Sequence, residues 1–228
     1  MSGRGSVSLA TRDWGVRPYR SALEEMRALR AQRQREEIPD TLILVEHPPV
    51  VTVGVQGSDG ETLPEGIPVV TVERGGKSTY HGPGQLVGYP IVDLNRRGRD
   101  VRRFVHEVES LVILSLQTVG LTAERVAGRR GVWIAGERKI ASVGIAIESW
   151  VTFHGFALNV SNDLAPFRAF HPCGLPGTVM TSVSNELDRP TTTESMKPPI
   201  RESWARVFGT PWEPPRAPNP VAASALAR

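Results

Sequence analysis

The chain has 228 residues, 39% hydrophobic and 22% charged, a composition that fits one sizeable folded core and excludes a disordered or fibrous polymer. Its 27 basic residues against 24 acidic ones leave a net charge of only +3, too balanced for the usual nucleic-acid binder. No apolar run approaches the ~20 residues that span a bilayer, the first ten residues lack a secretory core, and a lone cysteine, Cys173, excludes internal disulfides and multi-cysteine metal sites. A cytoplasmic protein with no membrane or nucleic-acid partner is therefore expected.

Taken in chain order, residues 1–12 read as a flexible N-terminus ahead of a single folded domain over 13–209. Tyr19, Leu23, Met26 and Leu29 recur at helical spacing, predicting a helix over Arg17–Glu37 that Pro39 and Asp40 stop. Before Glu36 stand eight arginines and three acids, a bias that suits an acidic partner or, equally, a solvated helix face. Short β-rich runs follow at Thr41–Glu46, Val50–Val55, Ile67–Val72 and Gln85–Leu94.

Asp100 is placed to cap a second helix carrying Phe104, Val108, Leu111, Val112, Ser115 and Val119, which Gly120 ends. Gly131–Ala135 and Lys139–Ile147, joined by a tight turn, predict a hairpin, and Trp150–Val160 a further strand. A helix start is expected at Thr181-Ser182, and a final helix over Pro199–Phe208, begun by the Pro198-Pro199 pair. The tail 210–228 holds five prolines among alanines and polar residues and is expected to be disordered. Strands clustered around two long helices predict an α+β domain, a mixed sheet flanked by helices, rather than regular βαβ alternation.

Three segments carry chemistry. The first is Arg74-Gly75-Gly76-Lys77-Ser78-Thr79-Tyr80-His81-Gly-Pro-Gly-Gln85, where so little side-chain volume lets a ligand lie along the backbone and its N–H groups. It is no phosphate loop, because the glycine required four residues before Gly75-Gly76-Lys77 is Thr71. The second is Gly131 to Gly144. It places Lys139, one of three lysines in an arginine-rich chain, among small apolar residues, either as a buried partner or as a hairpin-end charge reaching water.

The third segment, His171-Pro-Cys173-Gly, sets the thiol in a loop, where access distinguishes it from a core cysteine. A thiol of reference pKa about 8.5 needs a cation or base beside it to attack, and Lys139 could supply either. An ammonium favours the thiolate, and the neutral amine can later take a proton from the second nucleophile. Among the histidines, His81 and His154 are expected to line a pocket and His47 could do so; His106 reads as structural or exposed. Their scatter argues against a metal site.

Together these segments resemble the octanoyl-[acyl carrier protein]:protein N-octanoyltransferase family. The likeness runs from Val45-Glu-His-Pro-Pro-Val50 through Arg74–Val87, Gly131-Val-Trp133, Arg138-Lys-Ile140 and Phe153–Val160 to Pro172-Cys-Gly174. The resemblance implies an acyltransferase domain with the fold of lipoate- and biotin-protein ligases. It implies transfer of an octanoyl group from acyl carrier protein to Cys173, and on to the lysine of lipoyl domains of 2-oxoacid dehydrogenase E2 subunits and of the glycine cleavage H protein. Neither ATP nor a metal would be needed.

By the same resemblance Lys139 tunes Cys173, while Arg74–His81, Ser142-Val143-Gly144 and Gly155-Phe156-Ala157 bind the acyl group. Val55-Gln56, Phe153 and Leu175–Thr178 depart from the family's usual residues, which bears on pocket shape. An ATP-dependent lipoate-protein ligase would share the fold without needing the cysteine. A lipoyl-domain binding protein would lack the dyad, and a cysteine hydrolase would pass the acyl group to water.

Overall fold

The computed structural model describes residues 8–57, 64–168 and 179–209. Ten strands and four helices follow one another as β1 (Leu9–Val16), α1 (Tyr19–Gln34), β2 (Asp40–Glu46), β3 (Val50–Val53), β4 (Val69–Thr71), β5 (Ser78–His81), β6 (Gln85–Ile91), α2 (Val101–Thr118), β7 (Glu124–Val126), β8 (Arg129–Ile134), β9 (Arg138–Glu148), β10 (Val151–Asn159), α3 (Val183–Leu187) and α4 (Thr193–Phe208). Two sheets result. The larger has seven strands in the order β1-β2-β6-β10-β9-β8-β7, and the smaller three in the order β4-β3-β5. Only the β1–β2 and β3–β4 pairs are parallel, so both sheets are mixed, as expected.

The larger sheet is covered on both faces, which is why β2 from Leu42 to Val45 and β6 from Leu86 to Ile91 are buried and carry no charged side chain. Alternation along β2 sends Leu42 and Leu44 toward α2 and α4, and Ile43 and Val45 toward α1 and the smaller sheet. On the first face Phe104, Val108, Leu111, Val112 and Leu116 of α2 meet Met196, Ile200, Trp204 and Phe208 of α4. Each such side chain contributes about 1.5–3 kcal/mol on full burial. On the second face Leu23, Met26 and Leu29 of α1 pack with Val50, Val70 and Val72 of the smaller sheet and its flank.

The Asp100 cap forms as expected, accepting from the Arg103 N–H at 3.0 Å, and α2 ends just before Gly120 at φ +93°. Ser182 caps α3. Two expectations need correction. Residues Leu9–Val16, assigned in part to a flexible N-terminus, form an edge strand. Their backbone pairs in parallel with Asp40–Glu46, and Asp13 binds Lys197 and Arg201 of α4. Finally, α4 begins at Thr193, capped by Thr192, and carries Pro198 and Pro199 inside it. Burial of Met196 and Lys197 ahead of the prolines holds that first turn in place.

The tail 210–228 and the segment around Cys173 lie outside the described residues. No described helix is long and apolar enough to cross a membrane.

Candidate active site

A half-open cavity, about 420 Å³ when the solvent at its mouth is counted in, lies between the larger sheet, the smaller sheet and the start of α1. Its floor is made by three neighbouring strands whose residues face α1: Val87 and Tyr89 of β6, Gly155 and Ala157 of β10, Ser142 and Gly144 of β9. Thr79 and His81 of β5 close it from the smaller sheet, Arg74 and Gly75 from the loop before β5, and Tyr19 from α1. Val143, Phe156 and His154 complete the lining.

Gly144 leaves room for Arg74, and Gly155 lets β10 lie close on β6. A Cβ on Gly144 would stand 3.0 Å from the Arg74 Cδ, and one on Gly155 would strike the Gly88 carbonyl and stand 2.6 Å from the Pro90 ring. Just before Gly155, His154 takes φ +58°, a left-handed conformation uncommon outside glycine and costly for other residues. There β10 turns from its neighbour β6, and the His154 N–H points to the Met26 sulfur of α1 at 3.1 Å. The imidazole is thereby swung into the cavity wall.

Arg74 is 6% exposed and is held by oxygen atoms of the scaffold. Its Nη2 donates to the carbonyl and hydroxyl of Thr52, both at 2.8 Å, and its Nη1 to the Lys77 carbonyl at 2.8 Å. Gly75 donates its N–H to the Ile145 carbonyl at 3.0 Å. The loop is thus stitched to β3 and β9, and this amide is already satisfied rather than open to a ligand.

Three histidines surround the inner end. His47 donates from Nδ1 to the Arg17 carbonyl at 2.7 Å, which leaves Nε2 to accept from the Tyr89 hydroxyl at 2.8 Å. His81 donates from Nδ1 to Gln85 Oε1 at 2.7 Å and stacks on Tyr19 with ring centroids 5.7 Å apart. His154 Nδ1 lies 3.4 Å from the Tyr19 hydroxyl, and its Nε2 lies 3.5 Å from Glu73. Burial holds all three neutral, pushing His47 down to about 4, His81 to about 3 and His154 to about 4; the Arg74 charge adds to the last two. Burial likewise raises the Tyr19 and Tyr89 phenols, so both stay protonated.

Lys139 stands at the other end of the floor, on β9 three residues before Ser142. It is 3% exposed, with Nζ 5.6 Å from the Trp133 ring centroid. A Cβ on Gly131, at φ +107°, would come 2.8 Å from its Cε and collide with the Ala141 carbonyl. The main chain of Lys139 bridges to Met180, and its carbonyl accepts from the Thr181 N–H at 3.0 Å. A chain of side-chain amides links the two ends. His81 bonds Gln85, whose Nε2 donates to Asn159 Oδ1 at 2.9 Å, and Asn159 donates to the Thr181 carbonyl at 3.0 Å.

Of the residues expected from sequence, Arg74, Gly75, Thr79, His81, Ser142, Val143, Gly144, His154, Gly155, Phe156 and Ala157 line the cavity. Gly76, Lys77, Ser78, Tyr80 and His47 do not. Ser78 and Tyr80 alternate with Thr79 and His81 along β5 and point to its other face, where Tyr80 packs on Phe167 at 5.6 Å. His47 stands behind Tyr89. Lys139 is beside the cavity rather than in its lining, and Cys173 lies outside the described residues. Sequence reasoning missed Tyr19, Val87 and Tyr89. The signal was a tyrosine at the cavity-facing position of an apolar stripe on α1 and another on β6. Among the described residues no group of three or more His, Cys, Asp or Glu side chains could hold a metal ion.

The lipoyl protein ligase A/B catalytic domain model matches residues 18–205. An octanoyltransferase of Geobacter metallireducens is 48% identical over 179 residues, 78% of this chain and 84% of the relative. Another, from Acidothermus cellulolyticus, is 48% identical over 194 residues, covering 83% and 87%. Among solved structures, a bipartite lipoate protein ligase of Thermoplasma acidophilum superposes with TM-score 0.69 at 15% identity, over 91% of this chain and 86% of that one. That likeness bears out the expected ligase-type fold. Near-50% identity across most of both sequences carries more than fold, and it places the chain in the octanoyltransferase family of lipoyl protein ligase A/B catalytic domains.

Proposed function

We propose that the chain transfers an octanoyl group from acyl carrier protein to the lysine of a lipoyl domain by way of a thioester on Cys173. The observation that carries the reading is the pocket itself, floored by β6, β10 and β9, with a buried lysine on β9 three residues from its Ser142. Such a floor suits a linear acyl chain, whose apolar length can lie over Val87, Ala157 and the glycines while its carbonyl stays at the Lys139 end.

In the first step the Cys173 thiolate adds to the donor thioester carbon and expels the carrier's phosphopantetheine thiolate, which takes a proton from the Lys139 ammonium and leaves as the thiol, so that Lys139 becomes neutral. In the second the acceptor amine adds to the acyl-cysteine carbon, Lys139 in its neutral form takes the amine's proton, and the Cys173 thiolate departs. The donor arrives already activated, so the reading requires no ATP and no metal. Six residues separate Cys173 from Met180, whose main chain bridges to Lys139, a span short enough to allow thiol and amine to meet. E2 lipoyl domains and the glycine cleavage H protein are the acceptors this reading names.

The test is intact-protein mass after incubation with octanoyl-acyl carrier protein. One octanoyl mass, released by hydroxylamine and absent in Cys173→Ser, is expected. Lys139→Ala should slow adduct formation by roughly 10²–10⁴-fold, the usual share of an acid/base group. An adduct that persists in Cys173→Ser removes the thioester. Dependence on ATP and free acid turns the reading into a ligase, and acyl release without a lipoyl domain turns it into a hydrolase.

A further inference from the structure

We propose that Tyr19, Tyr89 and His154 form an end wall that fixes the length of the acyl chain this cavity accepts. The inference rests on the reading above, in which the acyl carbonyl stands at the Lys139 end of the floor.

Strand register sets the scale. Ala157 of β10 lies opposite Ser142 of β9 and Val87 of β6, Gly155 lies opposite Gly144, and His154 lies opposite Ile145. From the Ser142 level to the His154 level is three residues, roughly 10 Å at the ~3.3 Å rise of a strand, about the reach of an extended eight-carbon chain. The first level is small, with Ala157, Val87 and Ser142, and at the next Gly155 and Gly144 stand beside Tyr89. At the far level the His154 imidazole is swung in by its left-handed backbone, and with the Tyr89 ring beside it and Tyr19 closing from α1 it ends the lining.

The wall is braced from behind. Tyr89 donates to His47, which is itself anchored on the Arg17 carbonyl. Tyr19 stacks on His81 and reaches His154, and Glu73 flanks His154 on the other side. A chain two carbons too long would have to push these rings apart and leave buried hydroxyl and imidazole groups without partners, which is a strong ground for rejection. A chain too short fits but leaves the slot part-empty and loses its contacts. Discrimination upward should therefore be steeper than downward.

The experiment offers the full-length protein an equimolar mixture of six-, eight-, ten- and twelve-carbon acyl-acyl carrier proteins and reads the adducts by intact mass. The wild type should take the eight-carbon group over the twelve-carbon group by at least tenfold. His154→Gly suits the left-handed backbone at φ +58° and opens the wall, so it should erase that ratio or invert it. Tyr19→Leu, which keeps an apolar residue on α1, should shift it in the same direction. Thermal melting confirms that each variant is folded. Equal uptake of eight and twelve carbons by the wild type, or an unchanged ratio in both folded variants, overturns the end wall. Absence of any hydroxylamine-labile adduct in the wild type overturns the thioester reading and the wall with it, whereas adducts of unaltered length in the variants overturn the wall alone.

Discussion

At the scale of single residues, the position of Lys139 depends on what is missing from Gly131. A Cβ there would meet the Ala141 carbonyl and the Lys139 Cε, and the backbone at φ +107° disfavours any side chain. The Gly131 N–H is also tied to Glu109 Oε1 of α2 at 3.0 Å, so the strand cannot slide to make room. Gly131→Ala should therefore destabilise by about 1–3 kcal/mol through overpacking. It should also displace the amine, and a misplacement near 1 Å can cost about 10²-fold in rate. A thermal melt with the octanoyl-adduct rate checks both, and a variant with unaltered Tm and rate would dissociate Gly131 from Lys139. The rarity of lysine made Lys139 visible in the sequence. Its support from Gly131 was not visible, because a glycine beside a hairpin reads first as turn chemistry.

At the scale of elements, apolar period and capping residues located α1, α2 and the central strands within a few positions. Asp100, Gly120 and Ser182 act locally, and local chemistry survives folding. What misled was local chemistry overruled from a distance. Pro198-Pro199 belongs at a helix start by its own preferences, yet Met196 buried with α2 and Lys197 bound to Asp13 carry α4 a turn and more ahead of it. Tyr19 and Tyr89 read as core on an apolar stripe because a stripe does not reveal where the opposite layer leaves a gap. Asp40 shows the same long-range economy. Its Oδ1 accepts from Arg33 Nε at 2.7 Å and from the Asp93 N–H at 3.0 Å, joining the end of α1, the start of β2 and the exit of β6. Removing one partner of a buried ion pair typically costs about 3–5 kcal/mol. Asp40→Ala should accordingly lower Tm by about 10 °C in a domain this size, and a shift within a degree or two would show that the three elements are held by packing alone.

At the scale of the whole molecule, the two sheets and α1 close on a group of imidazoles kept neutral, and this couples stability to pH. His47, His81 and His154 ordinarily take a proton near 6.5, but burial holds them at about 4, 3 and 4 in the folded protein. Below 6.5 the unfolded chain binds protons that the native state refuses, so stability falls as pH drops from 6.5 toward 4. It is fully present above 6.5. With three groups in step the slope can approach about 4 kcal/mol per pH unit. Depressed carboxylates act elsewhere on the scale: Glu186, held low by its hydrogen bonds to Arg138, adds stability above its ordinary 4.5 and loses it only below that value. Urea unfolding at pH 7.5, 6.5, 5.5 and 5.0 separates the two classes, since only the histidines respond across this window. A free energy of unfolding that is flat from 7.5 to 5.0 would mean that the imidazoles are reached by water and protonate in the native state. In that case the braced inner end of the cavity would open in mild acid, and the length preference for the acyl chain would relax over the same pH range.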